Sequence, residues 1–162
     1  MELKVKLTDG APLPRHAHAG DAGLDLTTTE TVTLDPGETK TVGTGVSVEI
    51  PEGYFGMVVP RSGLGSRGIT LSNCVGVIDS GYRGEIKVPL HSNRPTHNWI
   101  TYGVDGDTKI RQLMANDGVM TVKRGERVAQ LVVVPYVSCE CVEVEELSDT
   151  DRSDGGFGST GR

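Results

Sequence analysis

Residues 73–84 read Asn-Cys-Val-Gly-Val-Ile-Asp-Ser-Gly-Tyr-Arg-Gly, which places Asp79 beside apolar neighbours and Tyr82 three positions on. An aspartate so placed can act as a general base, with the tyrosine as a flat wall. An aspartate in a turn can equally bond its own backbone, and the residues alone leave both readings open. Gly76 and Gly81 bracket Val77, Ile78 and Asp79 and predict a tight hairpin.

Three further groups have the types that bind anions or cations. Pro60-Arg61-Ser62-Gly63-Leu64-Gly65 follows a strand-like run and enters a short helical turn. An Arg, a hydroxyl and free amides at a helix start form an anion site; a polar turn with a surface Arg is the plainer alternative. Residues 152–161, Arg-Ser-Asp-Gly-Gly-Phe-Gly-Ser-Thr-Gly, combine glycines, hydroxyls and an Arg, which suits a flap over a phosphate ligand; a floppy Gly-rich end is the plainer alternative. The G-x-G-x-x-G spelled by residues 156–161 lacks the strand before it and the helix after it that a dinucleotide fingerprint requires. Asp21 and Asp25 lie four apart near a strand, where either can hold a hydrated cation or serve turn chemistry. Gln130, inside an apolar run, must be bonded in the core or face a site. His16, His18 and the Cys139/Cys141 pair match no standard zinc spacing.

These residues need a scaffold, and the composition says which kind. Among 162 residues there are 20 Val, 6 Ile and 16 Thr, against 12 Leu and 6 Ala, with 22 Gly and seven aromatics. β-branched residues fit a pleated surface and the best helix formers are scarce. A helix bundle or coiled coil is excluded; short strands joined by Gly turns remain. Strands are predicted at residues 2–7, 31–35, 39–50, 54–59, 85–91, 128–134 and 137–146, the last with a bulge near Cys141. One helical turn is predicted near residues 64–67. Residues 98–104 and 108–114 predict a hairpin across Asp105-Gly106-Asp107. After Glu146 apolar residues nearly vanish, so residues 148–162 predict a flexible arm on a body of residues 1–147.

The net charge of −6 argues against non-specific binding to nucleic acid or an anionic membrane. Residues 138–154 carry seven acids and one Arg, a net of −6, and the remainder holds 15 of each sign. The longest apolar run is far too short for a transmembrane helix, and Met1 to Leu7 does not suit a signal peptide. Three cysteines without a secretion signal predict reduced thiols and a cytoplasmic protein, in the host cytoplasm if viral.

Five segments in order, AGDAGLDL, PRSGLG, GVIDSGYRGEIKV, RGERVAQLVV and RSDGGFGSTG, closely resemble the motifs of the trimeric dUTP diphosphatase (dUTPase) family. The resemblance implies an all-β jelly roll assembled as a homotrimer with shared active sites, cleaving dUTP to dUMP and pyrophosphate with Mg²⁺. It implies Asp79 as the base for the attacking water and Tyr82 under the deoxyribose. Asn73 and the Val77, Ile78 and Asp79 backbone would bond uracil. Arg61, Ser62 and Gly63 would hold phosphates with Gln130 nearby, and Lys87 would line the substrate. Asp25 would steady the metal through water, with Asp21 the weaker candidate. Arg152 would pair with the triphosphate, Phe157 would stack on uracil, and Gly158, Ser159 and Thr160 would bind the γ-phosphate.

The chain departs from the family pattern between the third and fourth motifs, where residues 92–120 read as an insert. Some viral members carry an insert here, and some of those bind regulatory proteins. A partner-binding protein acting through that insert is therefore the alternative reading, with the related dCTP deaminase the third.

Overall fold

The computed structural model describes residues 1–8, 10–94, 118–154 and, as backbone, 100–102 and 108–110. In chain order the elements are β1 (Lys4–Leu7), β2 (Leu24–Thr27), β3 (Val32–Leu34), β4 (Thr39–Gly43), β5 (Val46–Glu49) and β6 (Tyr54–Pro60). They continue with α1 (Ser62–Gly65), β7 (Ile69–Leu71), β8 (Gly76–Ile78) and β9 (Lys87–Ser92). Last come β10 (Ile100–Tyr102), β11 (Thr108–Ile110), β12 (Met120–Val122) and β13 (Arg127–Pro135). This is an all-β, jelly-roll-like fold with one helical turn.

The strands form a four-stranded sheet in the order β2-β13-β6-β8, a three-stranded sheet β4-β9-β7, and the pairs β1-β5, β3-β12 and β10-β11. Every pairing among them is antiparallel. Alternation along β9 explains its role at the centre of its sheet: Val88 and Leu90 are fully buried while Lys87 faces out. The described core is aliphatic, with Leu26, Leu34, Ile86, Val122, Val128 and Leu131 wholly enclosed and no aromatic among its buried members. Each such side chain contributes roughly 1.5–3 kcal/mol. Among the described residues no helix is long and apolar enough to cross a membrane.

Four expectations change. Residues 39–50 form two strands rather than one, because the chain turns at Thr44-Gly45. Gly45 has φ +67°, and a Cβ there would stand 2.6 Å from that of Ala11. Residues 76–81 close no hairpin on themselves: β8 pairs with β6, Gly76 opposite Val58 and Ile78 opposite Gly56. The helical turn begins two residues early, at Ser62, so that Leu64 enters the core. Residues 137–146 form no strand within this chain. They run irregularly with Val137 87% and Val142 75% exposed, because no strand among the described residues pairs with them. The hairpin in the insert is present as backbone, with Ile100 opposite Ile110 and Tyr102 opposite Thr108. The side chains of this hairpin lie outside the described residues. Cys74, Cys139 and Cys141 are free and exposed.

Candidate active site

The strand register brings the first, second and fourth motifs together. Gln130 on β13 stands opposite Asp25 on β2 and opposite Val59 on β6. Arg61 follows directly after β6, at the start of α1. Asp25 Oδ1 accepts hydrogen bonds from Arg61 Nη1 and from Gln130 Nε2, the latter at 3.1 Å. Asp25 Oδ2 accepts from Arg127 Nη1 at 3.1 Å. Burial pushes the Asp25 carboxyl up, but hydrogen bonds from Arg61, Gln130 and Arg127 and the Arg61 charge outweigh it. The acid is held below its ordinary value and stays ionised. Two guanidiniums thus share one carboxylate, leaving one net positive charge at the mouth of α1.

Gln130 is therefore bonded toward the site. Arg127 is the member that sequence reasoning missed. It opens the same strand three residues before Gln130, and the register of β13 against β2, with its slip between Arg127 and Ala129, aims it at Asp25. Arg67 braces the helical turn from below, ion-paired to Glu126 and donating to the Thr121 carbonyl at 3.0 Å. Ser62 and Gly63 are exposed at the start of α1. Asp21 stands apart: its carboxylate accepts from the His18 N–H at 2.9 Å and closes a local turn.

The third motif builds a separate pocket of about 320 Å³. Asn73, Val77, Ile78, Asp79, Tyr82 and Lys87 all line it, over a floor that includes Val58 and Ile86. The turn carrying Asn73 is tight, with Cys74 at φ +60° and the Cys74 N–H donating to the Leu71 carbonyl at 3.0 Å. Asp79 is exposed, and its backbone carbonyl accepts from the Tyr82 N–H at 3.0 Å. So Asp79 holds the turn with its main chain and leaves its carboxylate at the pocket. The turn bond is made by the Asp79 main chain, not by its side chain.

The two groups do not meet within one chain. Ile78 pairs with Gly56, so Asp79 leaves the sheet beside Phe55, whereas Arg61 leaves β6 six residues later. Six residues of strand span about 20 Å. Arg152 lies in an exposed turn beyond both groups. Phe157, Gly158, Ser159 and Thr160 lie outside the described residues.

A divalent ion fits the first group only at a remove. Asp25 is 10% exposed and both its oxygens already accept hydrogen bonds. Lone pairs remain on each oxygen, which suits contact through a metal-bound water. Among the described residues no three His, Cys, Asp or Glu side chains gather to form a protein cage.

The chain matches the family model described as dUTPase over residues 9–101 and 100–161. It is 46% identical to the deoxyuridine 5'-triphosphate nucleotidohydrolase of Thermobifida fusca, across 96% of this chain and 76% of that one. The enzyme of the same name from Nautilia profundicola is 44% identical, with both chains wholly covered. Among solved structures, the dUTPase of Staphylococcus bacteriophage 80alpha with dUPNHPP superposes at a TM-score of 0.84, with 35% identity and 99% of both chains covered. A mutant dUTPase from phage phi11 of S. aureus, solved to show the coordination of a structural Mg(II) ion, has a TM-score of 0.75 and 34% identity. It covers 92% of this chain and 100% of that one.

Proposed function

The chain belongs to the dUTPase family, and from that premise we infer that it is a dUTP diphosphatase, hydrolysing dUTP to dUMP and pyrophosphate. The curated relatives are named for this reaction and not for deamination of dCTP. The observation that carries the reading is the pocket in which Asn73, Asp79, Tyr82 and Lys87 converge.

The Asn73 amide offers both a donor and an acceptor, as the edge of uracil requires, and the Val77, Ile78 and Asp79 backbone adds more. Tyr82 provides a flat surface for the deoxyribose. The Asp79 carboxylate takes a proton from a water whose oxygen attacks the α-phosphorus. The bond from that phosphorus to the bridging oxygen breaks, and pyrophosphate leaves. No covalent enzyme intermediate is needed.

Arg61, Ser62 and Gly63 hold the phosphates, with Gln130 fixing Asp25 and through it Arg61. A bound Mg²⁺ would be steadied by Asp25 through water and would offset charge on the phosphates, as Mg²⁺ commonly does while keeping its own waters. Arg152, Phe157, Gly158, Ser159 and Thr160 belong to an arm, residues 148–162, that closes over the nucleotide on the body of residues 1–147.

A general base works only within hydrogen-bond reach of its water, and a phosphate clamp only within reach of the oxygens. About 20 Å of strand between Asp79 and Arg61 of one chain is too far for both to serve one nucleotide. That separation supports a homotrimer whose sites take the base from one chain and the phosphate cluster from another.

Incubating the purified chain with dUTP and Mg²⁺ tests the reading. One pyrophosphate and one dUMP per dUTP consumed is the expected result. Ammonia from dCTP, or no pyrophosphate from dUTP, would overturn it.

A further inference from the structure

We infer that Gly84 and Glu85 set the tilt of the Tyr82 ring, and that this tilt governs how strongly the site rejects a ribose 2′-hydroxyl. The inference deepens the function above and rests on Tyr82 lying under the sugar.

The ring is held at three places. Its hydroxyl donates to the Glu85 carbonyl oxygen at 3.0 Å. The Tyr82 backbone N–H donates to the Asp79 carbonyl at 3.0 Å, so the residue that carries the ring is tied to the turn that carries Asp79. Its phenol end lies directly over Gly84. A Cβ at that position would stand 2.4 Å from the Tyr82 Oη, 2.5 Å from Cζ and 3.0 Å from Cε2. No side chain fits there unless the ring moves. Tyr82 is 45% exposed, so the ring would swing before the core yielded.

What holds the acceptor in place is remote from the pocket mouth. Glu85 Oε1 accepts from the Gly45 N–H at 2.7 Å. The next residue, Ile86, is wholly buried; its N–H donates to the Val46 carbonyl at 2.8 Å, and its carbonyl accepts from Thr44 Oγ1 at 2.6 Å. Three hydrogen bonds thus staple residues 85–86 to the corner between β4 and β5. The phenol is pinned to the rigid body while its ring stands in the pocket. Glu85 acts through Tyr82 and is a positioning residue. Gly84 determines specificity by what it leaves empty. Exclusion of a single hydroxyl depends on a close fit, and loosening that fit costs discrimination of about tenfold or more.

The test compares kcat/KM for dUTP with that for UTP in the parent, Gly84→Ala, Tyr82→Ala and the double variant, with Tm recorded for each. Gly84→Ala is expected to melt close to the parent and to lower the dUTP/UTP ratio at least tenfold. The same substitution placed in Tyr82→Ala is expected to change the ratio less than twofold, because the ring it displaces is gone. Glu85→Gln keeps an acceptor for Gly45 and should hold the ratio near the parent's, whereas Glu85→Ala should lower it. Should Gly84→Ala fail to fold, Tyr82→Phe keeps the ring, loses the bond to Glu85, and should lower the ratio severalfold. A parent that prefers dUTP, with Gly84→Ala or Tyr82→Phe sharing that preference undiminished, would overturn the inference and leave the function standing. An equal loss from Gly84→Ala in both backgrounds would also overturn it. A parent without activity on dUTP would overturn both.

Discussion

Around Asp25 the polar groups are paired within the chain: one carboxylate accepts from two arginines and a glutamine at 10% exposure. Around Asp79 the main chain is fixed and the carboxylate is left exposed at a pocket of about 320 Å³. Under the proposed function, the contrast follows from the work assigned to each acid. An acid that takes up a proton during turnover must be open to its water. An acid that only orders cations is best kept ionised, and its bonds do that. One region is therefore organised for stability and position, the other for chemistry, and substitutions should separate the two.

Asp79→Asn should break the open region alone. The amide keeps the shape but cannot accept the water's proton, so kcat should fall about 10²–10⁴-fold, with dUTP binding and Tm preserved. Near-normal turnover in steady-state assays would remove Asp79 from the role. Deleting residues 153–162 should slow hydrolysis severely, as expected when a closing lid is lost. The proposed trimer and its Tm should stay unchanged, because the tail carries one large apolar residue, Phe157. Dissociation on truncation, seen by light scattering, would show a structural arm instead.

Asp25→Asn should behave in the opposite way to Asp79→Asn. It leaves Arg61 and Arg127 facing each other without their anion and should cost about 2–3 kcal/mol of stability, below the fully buried case because Arg127 is half-exposed. The sign of the pH dependence follows. The folded-state value of Asp25 is depressed, so its contribution is full above the unfolded value near ~4 and is lost as pH falls through the folded one. Stability curves from urea titrations should show a loss in that acid window that is absent in Asp25→Asn. The smallest effect belongs to Phe157→Ala. Base–aromatic stacking is worth about 1–3 kcal/mol, and a tail residue belongs at the low end. A Phe157→Trp variant whose fluorescence ignores a non-hydrolysable dUTP analogue would count against stacking.

The sequence made legible what depends on local pattern. Alternation revealed β1 and β9, a continuous apolar run revealed β13, and six residues read in or beside the third motif line one pocket. It hid what depends on register. Arg127 reaches Asp25 only because β13 slips against β2. β7 and β12, with three residues each, are too short to show a period. Residues 137–146 show the reverse failure. Their pattern is strand-like, but a strand requires a partner, and none of the described residues provides one there.

That unpartnered segment also governs how the molecule behaves as a colloid. Glu140, Glu143, Glu145 and Glu146 are interspersed with exposed Val142, Val144 and Leu147. Charges placed between exposed apolar residues act as gatekeepers against edge-to-edge association. Residues 138–154 hold a net of −6 and the rest of the chain sums to zero. A body without them would carry almost no mutual repulsion between molecules, the condition under which proteins precipitate. The acidic stretch thus supplies the chain's whole net charge, and its repulsion should weaken as salt is added.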